Sequence, residues 1–239
     1  MKKITKTEPA EKLTQWKRDN AQTPQNLYYG LAEFPHEEVL KALLKEQGNI
    51  CAYTLKRICP VSAHIEHLKP QTICKAEDKQ RETDKSQVLR EDIAWNNMVA
   101  CFPEPNPPAP PDYGAVQKDK WWDEETFISP LNEDCEQRFQ FTQDGKIAPA
   151  KVEDNSATTT INKIGLDNSK LIELRHSAYI HAGIHRRSEN PIVSAKKVEQ
   201  LIAKWSNRDT TTDSFSEFCV PLVQVAKEYA QFLRDRGVK

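Results

Sequence analysis

The sequence predicts an α+β protein that is predominantly α-helical and contains a small core built on two short strands. Apolar residues recur at helical spacing near the start of the chain and again from Ser156 to the end. Two short segments, 64–68 and 95–101, are expected to form strands, the second entered through a pair of asparagines. Residues 138–147 alternate apolar and polar side chains around an Asp-Gly pair, which indicates a β-hairpin.

The length and charge of the chain limit the classes of function. The 239 residues are enough for one sizeable domain, and 34 Lys+Arg against 35 Asp+Glu leave no overall basic field for nucleic acid. A nucleic-acid site would therefore be a local patch. The basic start is followed by no apolar signal region, and no window approaches the ~18 apolar residues of a membrane span. Six scattered cysteines indicate reduced thiols, so we expect a soluble, cytoplasmic protein.

Three regions follow from this pattern. Residues 1–48 are expected to be helical, with an apolar stripe through Val39, Leu43 and Leu44 that ends at Gly48. Residues 49–130 hold the small core and a loop at 101–111, where six prolines exclude a helix. Residues 131–239 hold the hairpin and a C-terminal helical region, with helices predicted at 157–165, 168–187, 193–206 and 214–236. Asp213 and Ser214 are predicted N-caps of the last helix.

The residues that carry chemistry lie in and after the first predicted strand. Glu66 can supply a carboxylate ligand for a hard cation, and His67, with an ordinary pKa near ~6.5, can take a proton from an attacking water. Asn97, at the head of the second strand, can orient that imidazole through its amide oxygen. Lys69 and Lys118 are candidates for contacts with nucleic-acid phosphates.

The short segments at 65–70 and 96–101 resemble the two sequence motifs of HNH endonucleases. With the segments at 47–53, 121–131 and 135–139, the chain is similar over residues 40–180 to the HNH subunit of Septu-type anti-phage systems, also found with some retrons. The resemblance implies a ββα-metal core and a metal-dependent endonuclease that uses Mg²⁺ or Mn²⁺ to cleave DNA, tRNA or another RNA. It gives His67 the role of general base, Glu66 that of metal ligand and Asn97 that of the middle asparagine. His64 matches the first histidine of the motif.

The resemblance also implies partners. The HNH subunit of these systems is paired with an ABC/SMC-like ATPase subunit and, in retron operons, with a reverse transcriptase and its RNA–DNA product. The near-neutral charge of the chain suits a subunit that gains nucleic-acid affinity from a partner. No membrane partner is expected.

The chain departs from the family pattern at two places. Cys51 and Cys101 are each the first member of an expected Cys-x-x-Cys pair, but Thr54 and Glu104 stand at the second positions. These positions cannot build a four-cysteine zinc site, so we expect no structural zinc; Cys59 and Cys74 are the remaining substitutes. The third HNH residue is also missing, because the helix-forming stretch near 114–119 contains no histidine. Its candidate replacements are Asn106, Gln117 and Asp119.

Other readings of these residues remain open. A catalytically inactive HNH-like adaptor, docking the ATPase through its C-terminal helices, is the alternative function. The charged stretch 70–92 is predicted to be a solvated loop or helix. His181 and His185 have i, i+4 spacing on a predicted helix, but Arg186 and Arg187 next to them favour a basic helix face over a zinc site.

Overall fold

A computed structural model describes residues 1–31 and 33–237, and within these residues it is an α+β structure dominated by helix. The predicted fold class is confirmed at this level. Two sheets, each of two antiparallel strands, are formed by β1 (His64–His67) with β2 (Met98–Cys101) and by β3 (Phe139–Phe141) with β4 (Ile147–Pro149). The helices of the described residues are α1 Glu11–Asp19, α2 His36–Glu46, α3 Gln71–Thr83, α4 Ala115–Lys118, α5 Asn155–Ile164, α6 Ser169–His181, α7 Ala195–Ser206 and α8 Cys219–Asp235.

The sheet of β1 and β2 is the centre of the first half of the chain. His64 lies opposite Cys101 and His67 opposite Met98, so the strands are fully paired over four residues. All four residues of β2 are buried, whereas β1 alternates between half-buried and buried side chains. This alternation places His64 and Glu66 on one face of β1 and His67 on the other, because successive side chains of a strand point to opposite faces.

Helix α2 packs against both strands, and Gly48 follows its end as predicted. Val39, Leu43 and Leu44 are buried along its inner face, and the helix ends at Glu46. Gly48 follows with a φ of +61°, a left-handed conformation that glycine adopts without steric cost. A Cβ at this position would lie 2.7 Å from the ring of Phe215, so the close approach of the 209–216 loop also requires glycine.

The last residue of α2, Glu46, joins three segments of the chain. One carboxylate oxygen accepts a hydrogen bond from Lys6 Nζ at 2.8 Å. The other accepts from the Thr7 N–H at 2.6 Å and from Trp95 Nε1 at 3.2 Å. The Glu46 side chain is only 1% exposed. It therefore holds the N-terminal segment and the residues that lead into β2 against the end of α2.

The charged stretch 70–92 and the predicted hairpin both have defined structures. Most of the charged stretch forms α3 and a following turn of 3-10 helix, Glu91–Ile93, in keeping with the helical alternative. The hairpin is confirmed, with Phe141 paired to Ile147 and Gly145 at a φ of +85°. A Cβ at Gly145 would lie 2.2 Å from the carbonyl oxygen of Ile172, so this turn packs directly on α6.

The predicted start of the last helix is wrong, because α8 begins at Cys219 and not at Ser214. The residues expected to cap it bind elsewhere: the Asp213 carboxylate accepts from Arg208 Nη1 at 3.2 Å, and the Ser214 hydroxyl accepts from Asn49 Nδ2 at 2.8 Å. The next residue, Phe215, donates its N–H to the Gly48 carbonyl at 3.0 Å. The loop is thereby tied to the end of α2. The predicted helix 168–187 also ends early, at His181, since Gly183 turns the chain with a φ of +76°.

Two apolar clusters fill the interior of the described residues. The larger one surrounds β1 and β2 and extends to the hairpin and α5; Trp121 and Trp122 pack against it beside Phe127. The smaller lies between α6, α7 and α8 around Tyr179, Val198 and Val225. Among residues 1–31 and 33–237, no helix has both the length and the apolar character needed to cross a membrane.

Candidate functional site

One face of β1 carries a cluster of charged side chains. Glu66 Oε1 accepts a hydrogen bond from Lys118 Nζ at 3.0 Å, and Glu66 Oε2 lies 3.7 Å from His64 Nε2. The other ring nitrogen of His64, Nδ1, donates to the Pro103 carbonyl oxygen at 2.5 Å. The Glu66 side chain is 14% exposed. The cluster therefore joins β1 to α4 and to the start of the proline-rich loop.

The electrostatics of this cluster follow from its partners. Burial by itself would raise the pKa of the Glu66 carboxyl, but the neighbouring His64 ring and the positive charge of Lys118 outweigh it and lower that pKa below its ordinary value. Burial by itself would lower the pKa of His64, but Glu66 and the Pro103 carbonyl raise it. Glu66 is accordingly the ionised centre of the cluster, with the Lys118 ammonium on one oxygen and the His64 ring beside the other.

Lys118 is the member of the cluster that the sequence did not connect to Glu66. Its side chain is 0% exposed, and its ammonium donates to Glu66 and, at 2.9 Å, to the His67 carbonyl oxygen. The nucleic-acid contact predicted for Lys118 remains a prediction; in the structure this side chain faces Glu66 and not an open groove. No periodicity or motif marks a lysine on a one-turn helix as the partner of a carboxylate 52 residues earlier.

Tyr53 lies on the same side of the site. Its side chain is buried, and its hydroxyl has no hydrogen-bond partner among the described residues. Burial and the nearby charge of Glu66 raise the pKa of Tyr53 well above its ordinary value. The site thus contains an unsatisfied polar atom, a feature that buried sites commonly resolve with a bound water or ligand.

The side chains around Glu66, as they are arranged, suit an ammonium group and do not fit a divalent cation. His64 and Glu66 could act as two adjacent ligands, but the Lys118 ammonium occupies the third side of the carboxylate and would repel the metal. No cluster of three or more His, Cys, Asp or Glu side chains suited to a metal occurs in the described part of the chain. The three residues predicted as possible third ligands, Asn106, Gln117 and Asp119, are all exposed. The position facing Glu66 is taken by Lys118.

His67 lies on the opposite face of β1 and is 4% exposed. Its Nε2 is 2.8 Å from the Asp92 carbonyl oxygen, and its Nδ1 is 3.4 Å from Gln71 Nε2. Since a carbonyl oxygen only accepts, Nε2 carries the proton, and the unprotonated Nδ1 accepts from the Gln71 amide. Burial lowers the pKa of His67 to about 4, so the ring is neutral at pH 7. The ring is therefore neutral and enclosed, with Nδ1 as the ring nitrogen that carries no proton.

Tyr29 spans the two faces of the site at the end of β1. Its ring packs edge-on against the His67 ring, with the centroids 4.5 Å apart. Burial, and in second place the charge of Glu66, raises the pKa of Tyr29 to about 12. Tyr29 therefore covers His67 while lying within the field of Glu66. No pattern in the sequence pointed to this residue.

The predicted contact between Asn97 and His67 is not what the structure shows. The Asn97 amide oxygen accepts from the Lys69 N–H at 2.7 Å, and its nitrogen donates to the carbonyls of Lys69 and Glu91 at 3.0 Å. The side chain thus ties the segment after β1 to the turn before β2. The orientation of His67 is instead fixed by the Asp92 carbonyl and the Gln71 amide. The signal that could have pointed to Gln71 is its position directly after the motif at 65–70.

Lys69 is engaged by two carboxylates, Glu77 at 2.5 Å and Glu91 at 2.7 Å. A phosphate would have to exchange with these partners, so the predicted phosphate contact of Lys69 remains a prediction. The His181–His185 pair is not a pair on one helix, because α6 ends at His181. His185 instead packs its ring against His176, with the centroids 4.8 Å apart.

Cys51 and Cys101 are brought together beside the sheet. Both are buried, and Cys51 Sγ accepts from the Phe102 N–H at 3.4 Å. Although burial opposes it, hydrogen bonds from Cys101, Thr54 and Phe102 lower the pKa of Cys51 to about 5. Cys59 is exposed, and Cys74 lies beside Asn97. The two cysteines of the incomplete pairs therefore lie close together. Thr54, which stands where the second cysteine of the first pair was expected, is one of the groups that lower the pKa of Cys51.

The enclosed His67 predicts a pH-dependent stability. Between about pH 6.5 and pH 4 the unfolded chain binds a proton at this residue while the folded protein does not, so stability falls as the pH falls through this window. The loss reaches about 3 kcal/mol. Urea unfolding at pH 7 and pH 4 is expected to show a smaller loss for His67→Gln than for the wild type. Equal losses in the two proteins would show that His67 takes up its proton as readily folded as unfolded.

Comparison with known proteins gave no family assignment. A scan against known protein families found no match, and a search of curated proteins found no significant match.

Proposed function

We propose that this protein is an HNH-type endonuclease that hydrolyses phosphodiester bonds of nucleic acid in anti-phage defence. The observation that supports the proposal is the contact between Glu66 and Lys118. It links the first of two antiparallel strands to the first helix after the second strand, which is the element order of a ββα site apart from helix α3 between the strands. The histidine that follows Glu66 is neutral, and its unprotonated Nδ1 can take up a proton once the Gln71 amide is displaced, as a general base requires.

Each residue has a chemical role in this proposal. His67 takes the proton of the water that attacks phosphorus, and the bond to the leaving oxygen breaks as the new P–O bond forms. Lys118 supplies positive charge for the phosphate oxygens, and Glu66 holds its ammonium in place beside the His64 ring. The predicted Mg²⁺ or Mn²⁺ would compete with Lys118 for Glu66, so no step is assigned to a metal ion.

The enclosure of the site connects the chemistry to a partner. His67 lies under Tyr29 and on the opposite face of β1 from Glu66, so cleavage requires a rearrangement at the end of β1. We assign that rearrangement to the binding of an ABC/SMC-like ATPase subunit, together with the RNA–DNA of a reverse transcriptase in a retron setting. The even balance of 34 basic and 35 acidic residues agrees with nucleic-acid affinity that comes mainly from such a partner.

A cleavage assay with paired glutamate variants tests the proposal. The protein with its ATPase partner is incubated with plasmid DNA, phage DNA and total RNA, with Mg²⁺, with Mn²⁺ and with a chelator. Glu66→Gln removes the charge that holds Lys118 and His64, and we expect a loss of cleavage of about 100-fold or more. Glu124→Gln, an exposed carboxylate outside the site, is the matched control and should cleave as the wild type does. Full activity of Glu66→Gln on every substrate would refute the proposal.

The second candidate is a catalytically inactive HNH-like adaptor that docks the ATPase. The full burial of Lys118 and the near-complete burial of His67 favour it, because a site without solvent access performs no hydrolysis in that state. In this case the wild-type complex cleaves none of the substrates under any condition, while co-purification with the ATPase persists in the Glu66→Gln variant.

A further inference from the structure

The cation position beside Glu66 is already filled by a group of the protein itself. We propose that the Lys118 ammonium is the resident cation of this site, and that it excludes a divalent metal ion from Glu66 until α4 is displaced. The inference concerns only what Glu66 binds, so it holds independently of whether the protein cleaves nucleic acid.

The contacts of Lys118 hold its ammonium in a defined, buried position. The ammonium has two oxygen acceptors, Glu66 Oε1 at 3.0 Å and the His67 carbonyl at 2.9 Å, and its side chain is 0% exposed. The ring of Phe127 lies 5.9 Å from Nζ. A lysine side chain is buried to this extent only when its charge is paired, and here the pairing is with the carboxylate expected to hold a metal.

The charges explain why the two cations exclude one another. An ion bound to Glu66 would lie within a few ångströms of the ammonium, where the repulsion is strong in a buried site. His64 Nε2, 3.7 Å from Glu66 Oε2, would become a ligand beside the carboxylate once the ammonium had left. The His64–Glu66 pair therefore binds the Lys118 ammonium through Glu66 while that group is in place, and forms half of a metal site when the ammonium is displaced.

The backbone around Lys118 is suited to such a displacement. Helix α4 is one turn long, so it can shift without the unwinding of a longer helix. Gly114 before it has a φ of +71° and Asp119 after it a φ of +44°. Gly114 adopts its conformation without steric cost, whereas that of Asp119 is held by the surrounding packing, since residues with a side chain rarely adopt it.

Binding of Mn²⁺ to the full chain, measured by electron paramagnetic resonance without nucleic acid, tests the inference. Lys118→Met keeps most of the apolar stem but removes the charge. We expect it to bind Mn²⁺ about tenfold or more tightly than the wild type, and the added Glu66→Gln change should abolish the gain. Lys120→Met, an exposed neighbour that also loses one positive charge, is the matched control and should bind as the wild type does.

Two outcomes would overturn the inference. One is a wild-type protein that already binds Mn²⁺ as tightly as Lys118→Met in a Glu66-dependent way. The other is a folded Lys118→Met protein without any gain. Circular dichroism establishes folding, and Lys118→Gln replaces the methionine variant if the latter does not fold. A gain in Mn²⁺ binding without cleavage by the partner complex would leave the inference standing and count against the proposed endonuclease.

Discussion

Replacement of His67 by alanine is expected to lower cleavage by the partner-bound protein by about 100- to 10,000-fold. The reason is the geometry of the ring: Nε2 donates to the Asp92 carbonyl at 2.8 Å, which leaves Nδ1 as the atom able to receive a proton. Burial lowers the pKa of His67 to about 4, so the acceptor is already unprotonated at neutral pH. Initial cleavage rates at pH 7, with all components at saturating concentration, measure the effect.

His181→Ala provides the matched control for this measurement. His181 is exposed at the end of α6 and donates only to a carbonyl of its own helix, so its loss should leave cleavage unchanged. Because a cavity at His67 can also destabilise the protein, both variants are compared with the wild type by circular dichroism. A folded His67→Ala protein that cleaves at the wild-type rate would remove His67 from the mechanism.

Replacement of Glu46 by alanine is expected to destabilise the protein by about 3–5 kcal/mol. The substitution leaves the half-buried ammonium of Lys6, the Thr7 N–H and the Trp95 indole N–H without their acceptor. Lys6 also donates to the Met98 carbonyl of β2 at 2.6 Å, and without Glu46 this carbonyl is the one acceptor left to its ammonium among the described residues. Urea unfolding followed by tryptophan fluorescence measures the change.

Glu38→Ala on the same helix is the control for helix propensity and charge. Glu38 is exposed in the first turn of α2, and its loss should change the free energy of unfolding by no more than about 1 kcal/mol. Similar effects of the two substitutions would mean that the carboxylate of Glu46 contributes no more than a surface charge.

The sequence predicted the elements whose determinants are local. Helix α2 was predicted from the apolar stripe of Val39, Leu43 and Leu44 and from Gly48 after it, and the hairpin from its Asp-Gly pair. Both signals depend only on residues a few positions apart in the chain. The start of α8 was missed for the opposite reason. Ser214 is a good N-cap by type, but its hydroxyl is bound by Asn49, which is 165 residues away.

The candidate site shows the same division between local and distant determinants. The grouping of His64 with Glu66 follows from strand alternation and from their spacing alone. The contact expected between Asn97 and His67 is not formed, because backbone groups of Lys69 and Glu91 bind its amide. The Glu66–Lys118 pair depends on where α4 rests after the proline-rich loop, and a pattern of residue types contains no information about that distance.

The short helix α4 also has a support outside the first half of the chain. The Gly114 N–H donates to the Ile164 carbonyl at 2.7 Å, and a Cβ at Gly165 would lie 3.0 Å from the Asp112 carbonyl oxygen. The end of α5 therefore sets the position of Lys118. A partner that binds α5 and shifts it would alter the affinity of Glu66 for a cation, and by thermodynamic reciprocity the cation would alter the affinity for that partner by the same factor. Docking and metal loading would then be a single coupled equilibrium.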